Sequence, residues 1–425
     1  MTTMTIEREQ KSGEDLYAER EKRVADAIAL REPDRVPFSF FTHFWTATYC
    51  GHTFEELMYD GDKYTSSLRK ALDDLQPDTF AALHINIVIG QTMETMGYKQ
   101  LEWPGHGTDP NVGYQYIDKE YMKPEEYDDY LFDPTGFFLR TYLPRVATAY
   151  EAFAKLPDFP TLYYLKLIRA TGAFTRPDLI EAFQTLAEAG RPMEAMMGEL
   201  KRFAVEAKEA GFPQSIGSGA AAPFDHFADY LRGSKGAMLD MFRHRDKLLE
   251  AMDKAAVLIA RDAVRSGKGN PFSKQVFIPL HWGLDGFMSP EQFKTFFWPP
   301  LRKVMMTLIE NGLNPQVLWE GDCESRLETI ADVPPGTCVY WFERTDMAKA
   351  KAVLGDVVCL RGNVPPSVLN LGTPDDTDEY VKNLIKVAGK GGGLIVDGAL
   401  GIPDEARPEN VFAMAKAVRK YGAYG

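Results

Sequence analysis

Short apolar segments alternate with longer amphipathic segments along most of this chain. Eight of the short segments are apolar at nearly every position and are bounded by Gly, Pro or polar residues, which is typical of buried strands. Their uniform apolar character favours a parallel sheet that is covered on both faces. The predicted strands are Val36–Phe41, Asp78–Leu83, Gln214–Ser218, Val276–Leu280, Gln316–Trp319, Cys338–Phe342, Val357–Leu360 and Leu394–Val396.

The segments between these strands have helical periodicity. Ser289 begins one of them, followed by Pro at the first helical position and Gln at the third, which is a capping-box pattern. Phe293 and Phe296 then begin its apolar face. Residues 346–354 and 376–388 show the same periodicity and each precedes a strand. Repeated strand–helix units with eight strands predict an α/β fold, a (β/α)8 TIM barrel.

Three regions depart from the simple repeat. Residues 1–20 are polar and predict a flexible N-terminus, so the barrel with its extra N-terminal helices is expected over residues 21–425. Residues 98–135 are rich in Gly, Pro, Tyr and Asp and predict a hairpin or long loop over the barrel mouth. Residues 135–211 have helical spacing. We expect the latter two regions to form an elaboration of a single domain between strands 2 and 3.

Composition and charge narrow the class of protein. The net charge of −13 argues against nucleic acid or an anionic membrane as the main partner. Four cysteines in 425 residues do not make a disulfide framework, so a reducing cytoplasm is expected. No apolar run approaches about 18 residues and the N-terminus lacks the apolar core of a signal peptide, so we expect a soluble protein.

The most informative candidate chemistry follows the fifth predicted strand. Glu320 and Asp322 come directly after it, and residues just past the C-terminal ends of barrel strands face the active site. One carboxyl group could act as acid and the other as base, or both could bind a metal. The alternative is an acidic turn that caps the next helix.

Histidines follow three other strands. His281 ends the fourth strand and could transfer protons or bind a metal. His43 and His84 end the first two strands and could converge with His281 on one pocket. A histidine held inside a packed loop is the alternative for each of them.

Polar residues also follow the last strands. Arg361 could bind a substrate carboxylate or phosphate, or it could pair with Glu343 or Asp397. Asn363 lies in the same segment as Arg361, and Asp397 ends the last strand. Elsewhere, Asp225, Asp229 and Arg232 are spaced by four and three residues, which is typical of pairing on a helix surface.

Six motifs occur in order along about residues 20–425. They are Ala-Leu-Arg-Glu-Pro-Asp-Arg-Val-Pro at 29–37, Ala-Pro-Phe-Asp at 222–225, Tyr-Leu-Arg-Gly at 230–233, Arg-Gly-Asn-Val-Pro-Pro at 361–366, Gly-Gly-Gly-Leu-Ile at 391–395 and Gly-Ile-Pro at 401–403. Taken together, these motifs resemble the uroporphyrinogen decarboxylase superfamily. The resemblance implies a (β/α)8 barrel and gives Arg232 and Asp225 a place in the pocket.

The superfamily implies two chemistries, and the sequence departs from both patterns. Its decarboxylases carry Arg-Gln-Ala-Gly-Arg-Tyr after the first strand to hold substrate carboxylates, but residues 41–46 here are Phe-Thr-His-Phe-Trp-Thr. Its methyltransferases bind zinc through His-x-Cys-Gly and a later Cys. Leu318, Glu320 and Leu400 occupy those positions here, so a full thiolate zinc site is absent. A zinc site of Glu320 and His281, with Asp322, is the remaining metal alternative.

The resemblance therefore favours a corrinoid (cobalamin)-dependent methyltransferase that acts on a small methyl donor or acceptor. The corrinoid is expected on a partner protein, and a homodimer is an alternative assembly. A carboxy-lyase and a non-catalytic tetrapyrrole- or corrinoid-binding protein are the other two functions considered. The expected catalytic residues are Glu320, His281 and Asp322, and the expected substrate-binding residues are His43, His84, Arg361, Asn363, Asp397 and Arg232.

Overall fold

The structure is a computed structural model that describes residues 5–82, 89–158 and 163–424. In these ranges the chain forms an α/β fold built on parallel strands. The strands are β1 Ser39–Thr42, β2 Thr79–Ala82, β3 Leu101–Pro104, β4 Gly107–Thr108, β5 Gln115–Tyr116, β6 Ser218–Gly219, β7 Gln275–Leu280, β8 Asn314–Trp319, β9 Val339–Phe342, β10 Cys359–Val364 and β11 Leu394–Gly398.

Eight of these strands form the barrel. Strands β6 to β11 pair side by side in chain order, all parallel, and β1 pairs with β2 in the same way. Parallel bridges at Phe38–Val396 and Phe80–Gln214 join the two sheets at both edges. The predicted TIM barrel is confirmed, with each predicted strand represented by one observed strand.

Several strand bounds differ from the predicted ones, and the largest differences are in two strands. The predicted third strand, Gln214–Ser218, is regular only at its end in β6, because it meets β2 through a single bridge at Gln214. The predicted seventh strand ended at Leu360, but β10 continues to Val364 because its ladder with β11 runs on to the pair Val364–Gly398. Arg361 and Asn363 therefore lie within the strand rather than after it.

Helices fill the connections between strands, as the periodicity predicted. The α-helices are Gly13–Ile28, Trp45–Cys50, Phe54–Tyr59, Gly61–Leu75, Gly90–Met96, Tyr127–Phe132, Pro134–Phe137, Leu143–Val146, Tyr164–Ala170, Pro177–Glu209, Pro223–Asp225, Gly233–Arg243, Arg245–Gly269, Pro290–Gln292, Trp298–Glu310, Leu327–Ile330, Met347–Leu354, Pro374–Ala388 and Pro408–Tyr421. Short 3-10 segments are Pro124–Glu126, Thr148–Lys155, Thr171–Thr175 and Glu324–Arg326, and π-helical segments are Phe138–Tyr142, His226–Leu231, Phe293–Phe297 and Ser367–Leu371. None of the helices in the described ranges is both long and apolar enough to cross a membrane.

Regular structure begins before residue 21. The first helix starts at Gly13, where Ser12 caps it by accepting a hydrogen bond from the Asp15 amide. Ile6 is buried, and its amide donates to the Asp74 carbonyl at 2.7 Å. The segment predicted to be flexible is therefore partly packed against the barrel.

The region between β2 and β6 contains the predicted elaboration. Strand β3 pairs antiparallel with β5 and parallel with β4, which places a small sheet in the segment predicted as a hairpin. Helices follow up to Glu209.

The barrel interior decides which side chains reach its mouth. Phe41, Phe277, Leu318 and Trp341 pack together as a buried cluster within the barrel. Side chains alternate along a strand, so the residue two positions after Leu318, which is Glu320, points toward the same side at the mouth.

Candidate functional site

An imidazole and a carboxyl group meet at the mouth of the barrel. His281 follows β7 and Glu320 follows β8, and these strands are hydrogen-bonded neighbours. The Nε2 atom of His281 lies 3.6 Å from the Oε1 atom of Glu320. Both side chains are partly exposed, so a small molecule at the mouth can reach this pair. The structure thus brings together two of the three residues that the sequence predicted as catalytic, His281 and Glu320.

A second carboxylate fixes the histidine from its other side. Asp229 Oδ2 lies 2.7 Å from His281 Nδ1, and its Oδ1 accepts a hydrogen bond from the Trp282 indole N–H at 2.7 Å. Asp229 belongs to the π-helical segment His226–Leu231, and such segments occur often at functional sites. Because Nδ1 faces a carboxylate, the Nε2 of His281 points toward Glu320.

Asp225 holds the backbone of the same loop. Its carboxylate is buried and accepts hydrogen bonds from the amides of His281, at 2.9 Å, and Trp282, at 3.3 Å. These contacts fix where the chain leaves β7. They make Asp225 a positioning group rather than a surface residue.

The pKa values of His281, Glu320 and Asp225 are all strongly raised. Burial lowers the pKa of His281, but the hydrogen bond to Asp229 and the charges of Asp229, Asp225 and Glu320 outweigh it and raise that pKa to about 9. Burial, together with the charges of Glu343 and Asp229, raises the pKa of Glu320 to about 7, although His281 opposes this rise. Burial and the neighbouring Asp229 also hold the pKa of Asp225 well above its usual range. At neutral pH the site therefore holds a protonated imidazole beside a carboxyl group poised between its two forms.

The turn after β8 is held by the next strand connection. Gly321 has a positive φ of 74°, and its amide donates to Glu343 Oε2 at 2.5 Å. A Cβ at Gly321 would also lie only 3.1 Å from the Leu284 side chain. The turn therefore requires glycine, and Glu343 fixes the backbone that presents Glu320.

Asp322 does not join this pair. Its side chain is exposed, and its Oδ1 accepts a hydrogen bond from the Glu324 amide at 3.0 Å. Asp322 thus belongs to an acidic turn, as in the alternative that the sequence left open, although the N-cap residue of the segment Glu324–Arg326 is Cys323. The structure gives Asp322 no contact with His281 or Glu320 in the part of the chain it describes.

Arg361 and Asp397 lie deeper, inside the barrel. Arg361 Nε and Nη2 lie 3.0 and 2.6 Å from Asp397 Oδ2, and the guanidinium sits 4.0 Å from the centroid of the Trp341 ring. Both side chains are fully buried, and burial raises the pKa of Asp397 to about 6 despite the charge of Arg361. Of the two alternatives for Arg361, the structure contains the pairing with Asp397.

The other predicted binding residues are scattered. Asn363 donates to the Thr345 carbonyl at 3.1 Å and accepts from the Tyr380 hydroxyl. Arg232 is buried away from His281, with its Nε 2.6 Å from Asp240.

Of the two histidines predicted at the first strands, the structure describes only His43. His43 follows β1 and packs edge-on against Phe41, and burial lowers its pKa to about 4. It is therefore neutral at physiological pH. His84 lies outside the described residues.

Sequence reasoning did not predict the roles of Asp229 and Glu343 in the site. The four-residue spacing from Asp225 to Asp229 was visible, but it was interpreted as pairing on a regular helix surface. A π-helical turn has no distinctive sequence pattern, so the direction of Asp229 could not be read from spacing alone.

The donor set does not fit zinc. Among residues 5–82, 89–158 and 163–424, no group of three or more His, Cys, Asp or Glu side chains is arranged to hold a metal ion. Glu320 and His281 offer two donors, and Leu318 packs in the barrel interior where the resemblance places a ligand.

Comparisons with known proteins show the family of this chain. The model of the family described as "Uroporphyrinogen decarboxylase (URO-D)" matches residues 185–421, more than half of the chain. Two curated relatives, both named "Uroporphyrinogen decarboxylase", are 29% identical over 186 residues in Saccharophagus degradans and 34% identical over 143 residues in Psychromonas ingrahamii. These alignments cover 43% and 33% of this chain. The chain spans about half the length of the first relative and 39% of the second.

A solved structure covers nearly the whole chain. It is described as "methyltransferase from Methanosarcina mazei", and the match covers 95% of this chain and 98% of that one, with a TM-score of 0.58. At 17% sequence identity, this likeness shows a shared fold.

Proposed function

Because this chain belongs to the uroporphyrinogen decarboxylase family, we propose that it transfers a methyl group between a small molecule and a corrinoid carried by a separate protein. The observation that carries the proposal is the charge at the barrel mouth. Asp229 and Glu320 lie on the two sides of the His281 imidazole, and Glu343 lies next to Glu320, where it accepts a hydrogen bond from the Gly321 amide. A substrate with eight carboxylates would be repelled by this cluster, whereas a methyl donor or acceptor with little negative charge would not.

The arginines near the mouth do not offset this charge. Arg361 is buried and engaged by Asp397. Arg344 is exposed at the rim, and its Nε lies 3.2 Å from Glu343. Neither arginine faces the His281–Glu320 pair in the contacts of the described residues. Bidentate recognition of several substrate carboxylates, which relies on arginine, is therefore poorly supported.

The His281–Glu320 pair can supply the proton that methyl transfer requires. A corrinoid on its carrier protein would provide either the nucleophile that accepts the methyl group or the methyl group itself. When a methyl group leaves an oxygen or nitrogen atom, that atom gains an electron pair and requires a proton, which the protonated form of Glu320 can donate. In the opposite direction, the ionised form of Glu320 can take the proton from a thiol acceptor. His281, held protonated by Asp229, lies beside Glu320 and can return its proton.

A carboxy-lyase is the second candidate. The curated relatives carry the name of the decarboxylase, and a protonated His281 could deliver a proton to the carbon from which carbon dioxide leaves. The substrate would have fewer carboxylates than uroporphyrinogen.

Spectroscopy separates the functions. The purified protein is mixed with reduced cobalamin and methoxylated aromatic donors, or with methylcobalamin and small thiols, and methyl transfer is followed by the change in the visible spectrum of the corrinoid. We expect turnover with at least one donor or acceptor, and we expect no porphyrin with fewer carboxyl groups than uroporphyrin when an incubation with uroporphyrinogen is oxidised and its porphyrins are separated. Formation of such decarboxylated porphyrins without methyl transfer would contradict the proposal. Corrinoid binding without any turnover would instead identify a non-catalytic binder.

A further inference from the structure

Four aromatic side chains lie around Asp229 at the barrel mouth. The Tyr116 hydroxyl donates a hydrogen bond to the Asp229 carbonyl, and Tyr230 is the next residue of the π-helical segment. The Trp282 indole donates to the Asp229 carboxylate at 2.7 Å, and the ring centroids of Trp282 and Phe287 are 4.9 Å apart. We name the side chains of Tyr116, Tyr230, Trp282 and Phe287 the aromatic rim.

The aromatic rim is open to solvent. Tyr116, Tyr230 and Phe287 are 42%, 37% and 49% exposed. The rings of Tyr116 and Tyr230 meet edge to face, with centroids 6.1 Å apart, so they support each other at the surface. Exposed apolar groups that adjoin one another, unlike scattered ones, mark binding sites. The exposed parts of these rings are therefore available to a ligand at the mouth.

The charges beside the aromatic rim do not balance. In the part of the chain that the structure describes, the ion pairs of Asp229 and Glu320 are both with His281, so one imidazolium serves two carboxylates. Glu343, whose charge also acts on Glu320, is paired with Arg344 at 3.2 Å. A carboxylate that is largely withdrawn from water is costly without a cation of its own. A ligand with a positive charge would supply that cation.

The hydrogen bonds at the mouth narrow the kind of cation. Both oxygens of Asp229 are already engaged, one by His281 and the other by Trp282. The described residues offer no set of three metal ligands. An organic cation without N–H groups needs no further acceptors, because it binds to the faces of Tyr, Trp and Phe rings. Methylated quaternary ammonium groups are cations of this kind.

We propose that the methyl donor of this protein is a quaternary ammonium compound, held by the aromatic rim beside Glu320. The inference rests on the proposed methyl transfer and adds the class of substrate. The C–N bond breaks and the nitrogen keeps its electron pair, while the electron pair of the reduced corrinoid forms the new bond to the methyl group. Glu320 balances the cation before this step, and the neutral amine that remains can take up the proton of His281 through Glu320.

Binding to the full chain tests the substrate class without any turnover. The probes are choline and 3,3-dimethylbutan-1-ol, in which a carbon atom replaces the charged nitrogen of choline. Titration calorimetry should show that choline binds at least about tenfold more tightly than the uncharged alcohol. Equal affinity for the two compounds, or no binding of choline up to about 10 mM, would overturn the proposal.

Variants of the aromatic rim test the contribution of the rings. Tyr230→Leu should weaken choline binding about three- to fivefold, because one cation–π contact is lost, and Tyr230→Phe should recover it because the ring returns. The control Phe242→Leu changes an aromatic residue that is 74% exposed in the helix Gly233–Arg243, and it should bind choline like the wild type. Circular dichroism checks the folding of each variant. Equal choline affinity in Tyr230→Leu and Phe242→Leu would overturn the placement on the aromatic rim.

The affinity should also depend on pH, although a quaternary ammonium group does not titrate. The charged groups that face Glu320 are His281, Glu343 and Asp229. Glu320 has a pKa of about 7, whereas His281, with a pKa of about 9, stays mostly protonated up to pH 8. Choline should therefore bind about threefold or more tightly at pH 8 than at pH 6. Glu320→Gln should abolish this rise, and an equal rise in that variant would overturn the role of Glu320.

Turnover separates this inference from the proposed methyl transfer. If choline binds as expected but no donor methylates reduced cobalamin, the cation site is supported and the proposed methyl transfer is contradicted. If an uncharged donor methylates reduced cobalamin and choline does not bind, the proposed function stands and the quaternary ammonium substrate is overturned.

Discussion

Replacing Asp229 by Asn should lower the pKa of His281 without disturbing the fold. The Asn side chain keeps an oxygen that can accept the hydrogen bond of the Trp282 indole, so the loop after β7 stays in place. What disappears is the negative charge 2.7 Å from His281 Nδ1. The change therefore isolates the electrostatic contribution of Asp229 to the site.

The expected change in the pKa of His281 follows from the charges around it. The pKa of His281 is raised from 6.5 to about 9, with the hydrogen bond to Asp229 and its charge as the main raising causes. A difference of about 2.5 in pKa would correspond to about 3.4 kcal/mol. Because 37% of the His281 side chain is exposed, solvent screens this interaction, and we expect the pKa to fall by about 1 to 2.

NMR titration of the imidazole resonances measures this change. The chain has seven histidines, and the variant His281→Gln assigns the resonance of interest. The control Asp322→Asn removes a carboxylate that caps the Glu324 amide, and it should leave the pKa of His281 unchanged. If the pKa of His281 in Asp229→Asn stays within about 0.3 of the wild-type value, the electrostatic account of the site is refuted.

The same variant has a signature in stability. A histidine whose pKa is raised on folding stabilises the fold fully below its unfolded pKa near 6.5, and that stabilisation is lost as the pH rises through about 9. The wild-type protein should therefore lose stability between pH 6.5 and 9 relative to Asp229→Asn. Urea unfolding at pH 6 and at pH 9.5 compares the two proteins, and an equal difference at both pH values would contradict the assignment.

Three further outcomes are expected. Glu320→Gln should lower methyl-transfer turnover by about 10² to 10⁴ without changing the unfolding temperature, whereas Glu324→Gln in the same turn should keep turnover; equal turnover in both would remove Glu320 from the chemistry. Arg361→Met should lower the free energy of unfolding in urea by about 3–5 kcal/mol, because it leaves Asp397 buried without its partner. A loss below about 1 kcal/mol would contradict this expectation. Combining Arg361→Met with Asp397→Asn should recover part of the lost stability. Dialysis against a chelator should leave turnover unchanged, and stoichiometric zinc that is lost on His281→Gln would show that the donor set has been misjudged.

The strands were predictable from sequence because fully apolar runs between Gly and Pro have few alternatives in a large α/β chain. The ends of the strands were less predictable. Hydrogen bonding to a neighbouring strand decides where a ladder stops, so β10 extends beyond Leu360 as long as β11 accompanies it. Arg361 was therefore predicted after the strand, while the structure encloses it with Asp397.

Some residues of the candidate site were also predictable from the sequence, and others were not. Glu320 and His281 were predicted because each follows a strand of a barrel, and such positions share one mouth whatever the loops do. The roles of Asp229 and Glu343 depend on contacts between segments 22 to 53 residues apart, such as the hydrogen bond from Trp282 to Asp229 and that from Gly321 to Glu343. No local pattern encodes such contacts.

The sequence by itself determined the barrel, the family resemblance and the convergence of His281 with Glu320, because these follow from repeated apolar strands and from motifs in fixed order. Only the tertiary structure decided that Asp229 raises the pKa of His281, that Asp322 accepts a hydrogen bond from the Glu324 amide and that Arg361 pairs with Asp397 inside the barrel. The physical reason is that charge and burial act through space. A carboxylate 2.7 Å from an imidazole changes its proton affinity, and the chain can bring it there from a helix 52 residues away.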